Sequence, residues 1–218
     1  MLVFVLNAGS SSLKYQLIDA QTTEVKASGL VERIGIDGIL KHEIGENKKL
    51  SFELPIPTHK EAIELVLRIL TNDETKVIDS ISEIEAIGHR VVHGGEYFKE
   101  STLIDEDVIK KIEELVPLAP LHNPAHLLGI KICRELMPNV ANIATFDTAF
   151  HQTMPEENFL YAVPYGDYTE HHLRKYGFHG TSHYYVSNEA VKLLNKKDSK
   201  IIVCHLGNGS SVSAVRDG

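Results

Sequence analysis

Two short segments rich in glycine and serine carry side chains suited to binding phosphate. The first, residues 7–14, reads Asn-Ala-Gly-Ser-Ser-Ser-Leu-Lys and follows the apolar run 2–6. Small residues let backbone amides approach an anion, while the serine hydroxyls and Lys14 add donors and positive charge. The segment lacks the Gly-Lys-Ser/Thr of a P-loop, and a strand is predicted after it where a dinucleotide fingerprint needs a helix. Alone, it fits a phosphate cradle and a polar hairpin turn equally well.

The same pattern returns near the end of the chain, where residues 206–213 read Leu-Gly-Asn-Gly-Ser-Ser-Val-Ser. Both copies have an apolar run before the turn and an alternating run after it, which favours duplication of a strand–turn–strand unit. Two such cradles can hold the two ends of a polyphosphate. The chain stops at Asp217-Gly218, a turn signal that normally precedes a partner strand, so we expect a front portion of a longer protein.

Three residues between these segments have charge or chemistry that a ligand could use. Arg90 lies in an apolar run, where its guanidinium needs an anionic partner; an internal carboxylate is the usual partner, but Gly94-Gly95 allow a ligand to come close. Asp147 follows the apolar run 142–146, at the strand end where α/β sheets bind ligands, and a plain helix cap explains it equally well. His179, in a glycine-bracketed loop, can stabilise charge on a transferred group.

The chain has 12 histidines, which we interpret as core or capping residues rather than metal ligands. Three pairs have i, i+4 spacing: His89/His93, His122/His126 and His179/His183. The first pair falls on a predicted strand, where four residues span about 13 Å. The other two pairs lack the partner ligands of a metal motif.

The hydrophobic pattern predicts alternating strands and helices that position these side chains. Strands are expected at apolar runs bounded by turn residues, namely 2–6, 14–19, 84–92, 142–146, 159–163 and 200–206. Helices are expected after four caps: Thr58 (in a capping box with Glu61), Asp105, Asn123, and Thr181 or Ser182, the last helix ending at Asn195-Lys196-Lys197. Residues 20–55 are expected to be irregular or hairpin structure. This alternation indicates an α/β fold.

Composition limits the class of function. Lys and Arg total 22 against 30 Asp and Glu, a net charge of −8, which argues against duplex nucleic acid or an anionic membrane as a partner. No apolar run reaches the roughly 18 residues of a membrane helix. Cys133 and Cys204 lie in apolar runs and are expected to be buried thiols of a reducing compartment. We therefore expect a globular, cytoplasmic protein.

Six motifs together resemble the acetate kinase family. They are residues 7–14, 88–95, 121–124, 146–151, 176–183 and 205–211, and the match runs in order over all 218 residues. The resemblance implies the fold of the acetate/sugar kinase, Hsp70 and actin superfamily: actin-like (ribonuclease H-like) duplicated α/β domains with mixed sheets covered by helices. Residues 1–147 would form the N-terminal domain and residues 148–218 the start of an incomplete, nucleotide-binding second domain.

The resemblance also implies reversible transfer of the γ-phosphoryl group of ATP to acetate, giving acetyl phosphate and ADP, with Mg²⁺ or alternatively Mn²⁺. It implies a homodimer for the full-length protein. The family roles carried over are Asn7 at the metal; Ser10, Ser12 and Lys14 at phosphates; Arg90 on the carboxylate and the transferred group; Val92, Leu121 and Phe178 around the methyl group; Asp147, His122 and His179 as catalytic residues; and His205, Leu206, Gly207, Asn208 and Gly209 in a nucleotide-phosphate loop.

Further family residues would lie beyond Gly218, so we expect these 218 residues alone to be inactive. Acetate is already ionised at neutral pH, so Asp147 is interpreted as orienting an arginine or the metal rather than accepting a proton. Two alternatives remain. A propionate or butyrate kinase would differ in pocket volume, and a non-catalytic actin-like nucleotide-binding module would have no reason to combine Arg90, Asp147 and His179.

Overall fold

A computed structural model describes residues 1–45, 48–196 and 198–218. The strands are β1 (Leu2–Ala8), β2 (Leu13–Asp19), β3 (Glu24–Glu32), β4 (Ile39–Ile44), β5 (Lys48–Glu53), β6 (Ile84–Val91), β7 (Thr102–Leu103), β8 (Ala141–Phe146), β9 (Lys200–Leu206) and β10 (Ser210–Arg216). The helices are α1 (His59–Thr71), α2 (Glu106–Glu114), α3 (Asn123–Leu136), α4 (Glu156–Phe159), α5 (Tyr165–His171) and α6 (Gly180–Leu194).

The chain divides into two compact units. Unit 1 comprises Met1–Val91 and Thr102–Thr145, and unit 2 comprises Val92–Ser101 and Phe146–Gly218. The predicted division into 1–147 and 148–218 differs from these units, because the segment 92–101 belongs to unit 2. As a statement about the domains of the full-length protein, that division remains a prediction.

Unit 1 contains a mixed sheet with the strand order β5-β4-β3-β2-β1-β6-β8-β7. Strands β1 to β5 pair with one another in antiparallel orientation, and β6 pairs with β1 in parallel. Since successive side chains of a strand point to opposite faces, Phe4 and Leu6 lie on one face of β1 and Val5 and Asn7 on the other. The Phe4 face joins the hydrophobic core with side chains of α1 and α3, which leaves Asn7 on the face away from the core.

The α/β class with a mixed sheet and covering helices is confirmed. The predicted strands at 2–6, 14–19, 84–92, 142–146 and 200–206 are present, with ends shifted by at most about two residues. The segment 20–55 forms the antiparallel strands β3, β4 and β5; residues 46 and 47 lie outside the described residues.

Helix starts were predicted correctly where a side chain caps the helix. Thr58 accepts from the amide of Lys60, and Asp105 accepts from the amide of Val108. The caps predicted at Asn123 and at Thr181 or Ser182 are wrong: His122 and His179 occupy the N-cap positions, and neither makes a side-chain cap hydrogen bond.

Helix α6, the last helix along the chain, also differs from its sequence prediction at both ends. Helix α6 begins at Gly180, whose N–H donates to the carbonyl of Asp147 at 2.8 Å. This backbone carbonyl satisfies an N–H group of the first turn that a capping side chain would otherwise satisfy. It ends at Leu194, with Asn195 as the C-cap. Lys197, which the prediction included, lies outside the described residues.

The strand predicted at 159–163 is wrong. Phe159 ends helix α4, and the residues that follow are irregular up to α5. The guanidinium carbon of Arg174 lies 3.7 Å from the centroid of the Phe159 ring, while Tyr161 and Val163 are about half exposed. A short apolar run becomes a strand only when a neighbouring strand pairs with it, and here Phe159 packs against a side chain instead.

The two cysteines differ in environment. Cys133 is buried in the core of unit 1, as predicted, but Cys204 is exposed on β9. The prediction for Cys204 was wrong because β9 belongs to a two-stranded sheet, and alternate side chains on it, such as Ile202, face outward. Within the part of the chain that the structure describes, no helix has the length and apolar character needed to cross a bilayer.

Buried His89 gives unit 1 a testable pH dependence. The Asn142 side-chain amide donates to the carbonyl of Val140, so its oxygen faces His89 and accepts from Nε2 at 2.8 Å. Burial lowers the pKa of His89 to about 4, against 6.5 for the exposed group. Between these values the unfolded chain binds a proton that the folded chain does not, so the free energy of unfolding should fall by about 3 kcal/mol as pH drops from 6.5 to 4.

This contribution should vanish in His89→Gln, which keeps a donor for Asn142. Hydrogen exchange of β1 and β6 amides at several pH values measures the unfolding free energy of unit 1. The difference between wild type and variant isolates His89 from the other histidines, and His171→Gln, at an exposed position of α5, is the control. Equal pH slopes in wild type and His89→Gln would contradict the prediction.

Candidate functional site

The first glycine–serine segment is the turn of the β1–β2 hairpin. Asn7 pairs with Lys14 across the two strands, so both side chains project from the same face of the sheet. The N–H of Gly9 donates to the carbonyl of Ser12 at 2.8 Å and closes the turn. The expectation that this loop offers its amides to an anion is therefore wrong for Gly9. Ser10 is exposed and Ser12 is partly buried.

His59, at the start of α1, forms a hydrogen bond with the backbone of this turn. Its Nε2 lies 2.7 Å from the carbonyl oxygen of Gly9. A carbonyl only accepts hydrogen bonds, so Nε2 is the donor. The sequence analysis missed His59, because a separation of 50 residues leaves no local signal.

Arg90 lies on β6 next to the first hairpin. Leu6 of β1 pairs with His89 of β6, and Asn7 and Arg90 are the next residues on these two strands. Leu6 and His89 are buried, whereas Asn7 and Arg90 are partly exposed, as alternation requires. Unit 1 therefore places Lys14, Asn7 and Arg90 on one face of three adjacent strands, β2, β1 and β6.

An open depression of about 480 Å³ lies on this face of unit 1, and its lining includes Val5, Asn7, Lys14 and Gln16. The amide oxygen of Asn7 is a hard ligand of the kind that Mg²⁺ accepts. Because Mg²⁺ in nucleotide sites is held by few protein groups together with substrate phosphates and water, Asn7 beside Lys14 fits a magnesium–phosphate group. Among the residues described, no three His, Cys, Asp or Glu side chains form a metal-binding group.

The other predicted site residues of unit 1 lie at the start of α3. His122 is exposed at the N-cap position, and its ring stacks on His126 at 6.4 Å between centroids. Leu121 is 80% exposed. Unit 1 by itself therefore does not enclose Leu121 in an apolar pocket.

In unit 2, Asp147 and the start of α6 are joined through the backbone. Asp147 is 2% exposed, and its carbonyl accepts the N–H of Gly180. A Cβ at Gly180 would lie 2.2 Å from this carbonyl oxygen, so only glycine permits the approach. His179, the residue before Gly180, has a left-handed backbone with φ 55°, a strained conformation that clusters at functional sites.

His179 lies in a cluster of histidines and serines. Its ring stacks on His205 with centroids 4.1 Å apart and planes at 16°, and the Nδ1 of His205 lies 2.9 Å from the hydroxyl of Ser182. The Nδ1 of His179 lies 2.8 Å from the hydroxyl of Ser211. A Cβ at Gly209 would lie 3.6 Å from Nε2 of His179. Unit 2 thus brings together His179, His205 and the second glycine–serine turn.

That turn, residues 207–209, joins β9 to β10 as an antiparallel hairpin in which Leu206 pairs with Ser210. The strand–turn–strand form predicted for both glycine–serine segments is confirmed. Leu206, Gly207, Asn208 and Gly209 are all exposed, so a ligand can reach them in unit 2.

Of the three residues expected around a methyl group, Val92 and Phe178 belong to unit 2. Val92 is buried, and Phe178 is 40% exposed and contacts the ring of His93, with centroids 5.7 Å apart. The Nδ1 of His93 accepts the N–H of Gly95, and burial lowers the pKa of His93 to about 4. His93 therefore stays neutral and supplies an aromatic wall beside Phe178.

The segment 92–101 is held in unit 2 by an ion pair that the sequence analysis missed. Arg174 is buried, and its Nη1 lies 2.6 Å from Glu96. Tyr168 donates to the same carboxylate oxygen at 2.9 Å. This pair fixes the chain that follows Val92 and His93.

The comparisons with known proteins agree with this α/β architecture. The model of the acetokinase family matches residues 2–218, so the chain belongs to that family. It is 53% identical over 221 residues to an acetate kinase of Caldanaerobacter subterraneus subsp. tengcongensis, covering all of this chain and 55% of that protein. It is 58% identical to an acetate kinase of Fusobacterium nucleatum, covering 56% of that protein.

The chain is also similar to solved structures of an acetate kinase and a propionate kinase. The crystal structure of an acetate kinase from Porphyromonas gingivalis superposes with a TM-score of 0.94 at 45% identity, covering 100% of this chain and 55% of that one. A propionate kinase from Francisella tularensis superposes with a TM-score of 0.92 at 43% identity, covering 99% and 55%. The chain spans about half the length of the relatives that it matches.

Proposed function

We propose that the full-length protein is an acetate kinase that transfers the γ-phosphoryl group of ATP to acetate and catalyses the reverse reaction. The single observation that carries this proposal is the row of Lys14, Asn7 and Arg90 on one face of β2, β1 and β6. Two cations beside a hard amide oxygen suit a phosphate group with its metal. Membership of the acetokinase family supports the choice of a carboxylate as acceptor.

The chemistry requires positioning and positive charge more than a strong base. Phosphoryl transfer passes through a loose, metaphosphate-like transition state whose negative charge needs cationic and N–H partners. Arg90 binds the acetate carboxylate and the transferred group, Lys14 and the serine hydroxyls of its turn bind phosphate oxygens, and His122 and His179 donate to the group in transfer. Acetate is already an anion, so Asp147 acts by orienting a cation.

Magnesium fits the oxygen donor of Asn7. When bound, it would neutralise charge on the nucleotide phosphates. The loop 205–209 would bind nucleotide phosphate, and Val92, Leu121 and Phe178 would surround the methyl group. We propose that the 218 residues alone do not turn over substrate, since they span about half the length of the relatives.

The test is trapping of the product. Full-length protein is incubated with ATP, Mg²⁺, hydroxylamine and acetate, propionate or butyrate, and the acyl hydroxamate is measured. We expect acetate to be preferred, with measurable propionate turnover, because one methylene is worth only about 1–3 kcal/mol of discrimination. The similarity to a propionate kinase makes propionate the second candidate substrate. Absence of any acyl hydroxamate would refute the proposed function.

A further inference from the structure

A chain of hydrogen bonds runs behind His179 in unit 2. The hydroxyl oxygen of Ser211 lies 2.8 Å from Nδ1 of His179 and 2.7 Å from Nε2 of His183. The hydroxyl oxygen of Ser213 lies 2.8 Å from Nδ1 of the same His183. We call Ser213, His183, Ser211 and His179 the histidine–serine chain. Ser211 is its central member and bridges two imidazole rings.

Two arrangements keep the hydroxyl proton of Ser211 within this chain. Burial and the neighbouring His151, His179 and His205 lower the pKa of His183, so its ring stays neutral and donates through one nitrogen only. If Nε2 of His183 carries the proton, it donates to Ser211, and the hydroxyl proton of Ser211 then points to Nδ1 of His179. If Nδ1 of His183 carries it, Ser211 donates to His183, and His179 must donate to Ser211.

In a neutral His179, Nε2 is a hydrogen-bond donor in one arrangement and an acceptor in the other. In the first, Nε2 carries the proton and can donate to an anion; in the second, Nε2 presents a lone pair. Nε2 is adjacent to the second glycine–serine turn, where a Cβ at Gly209 would lie 3.6 Å away. An ionised phosphoryl oxygen only accepts hydrogen bonds, so the first arrangement is the one that suits it.

We propose that Ser211 is a positioning residue that donates its hydroxyl proton to Nδ1 of His179 and thereby holds His179 as the Nε2–H tautomer that donates to the transferred phosphoryl group. The role of His179 in this statement rests on the proposed function. The control of its tautomer does not depend on the proposed function, because the hydrogen bond of one imidazole nitrogen decides which nitrogen carries the proton.

The experiment combines nitrogen NMR with kinetics on the full-length protein. With ¹⁵N-labelled histidine, the signals of His179 are assigned by their loss in His179→Asn, a residue that tolerates the left-handed backbone. We expect the Nε2–H tautomer in wild type, a mixture of tautomers in Ser211→Ala and restoration in Ser211→Thr. Ser211→Ala should lower kcat about 10- to 100-fold, the range seen when the hydrogen-bond partner that orients a metal-bound histidine is lost, with little change in KM.

Ser199→Ala is the matched control. Ser199 is a buried serine that precedes β9, and its hydroxyl has no hydrogen-bond partner among the residues that the structure describes. Its removal should leave both the spectrum and kcat unchanged. A wild-type His179 with its proton on Nδ1 or on both nitrogens, or a Ser211→Ala protein with the spectrum and kcat of wild type, overturns the proposal. Failure to form acyl phosphate in wild type would instead refute the proposed function, while the tautomer measurement would still test Ser211.

Discussion

Replacing Arg90 with alanine is expected to lower kcat of the full-length protein by about 10³- to 10⁵-fold in both directions, the range for an arginine that stabilises phosphoryl transfer. Arg90 follows the Leu6–His89 pair and shares a sheet face with Asn7 and Lys14. A planar guanidinium can bind a carboxylate or phosphoryl group with two parallel hydrogen bonds. Its loss should therefore remove both charge and alignment. The hydroxamate assay and a coupled ADP assay measure the effect.

Arg90→Lys separates charge from geometry. Lysine keeps the charge but not the bidentate fork, so its kcat should lie between those of wild type and alanine. Arg68→Ala, at an exposed position near the end of α1, is the control and should behave as wild type. Retention of more than about a tenth of the wild-type kcat in folded Arg90→Ala would be incompatible with the role proposed here.

Asp147→Asn is expected to lower kcat by about 10²- to 10³-fold, as when one preorganised electrostatic group is removed. Asparagine has nearly the same size as the aspartate that it replaces, and Asp147 is 2% exposed. It also leaves intact the bond from Gly180 to the backbone carbonyl of Asp147, so the start of α6 should keep its structure. The loss should come from the missing negative charge.

The pH profile distinguishes the two possible roles of Asp147. An orienting carboxylate predicts a lower kcat at every pH with an unchanged pH optimum, whereas a general base would shift or abolish the limb of the profile that it controls. Asp198→Asn, at an exposed position of unit 2, is the control. A changed pH optimum in Asp147→Asn would contradict the orienting role.

Local patterns in the sequence were sufficient for many elements and for the form of both glycine–serine turns. The apolar runs at β1, β6 and β9, and the capping residues Thr58 and Asp105, act through neighbours within a few positions or through strand alternation. Their structures therefore follow from the local sequence. The motifs that contain Asn7, Lys14, Arg90 and His179 also identified the family to which the chain belongs.

Local sequence patterns did not predict contacts between residues that are far apart along the chain. The run at 159–163 has the composition of a strand, but Phe159 packs against Arg174. Cys204 lies in an apolar run but on an outward face of β9. His59 reaches Gly9 over 50 residues. In each case the outcome depends on which segment becomes the neighbour.

His179 and Ser211 show most clearly which features the sequence determines and which only the folded chain specifies. Composition and motif drew attention to a histidine in a glycine-bracketed loop, and the pairing of His205 with Ser211 across β9 and β10 brought a hydroxyl to within 2.8 Å of that ring. Residue types and spacing along the chain determine strand alternation and helix caps, because these depend on short-range geometry. The partners of a buried ring nitrogen depend on how whole elements pack, and only the folded chain specifies them.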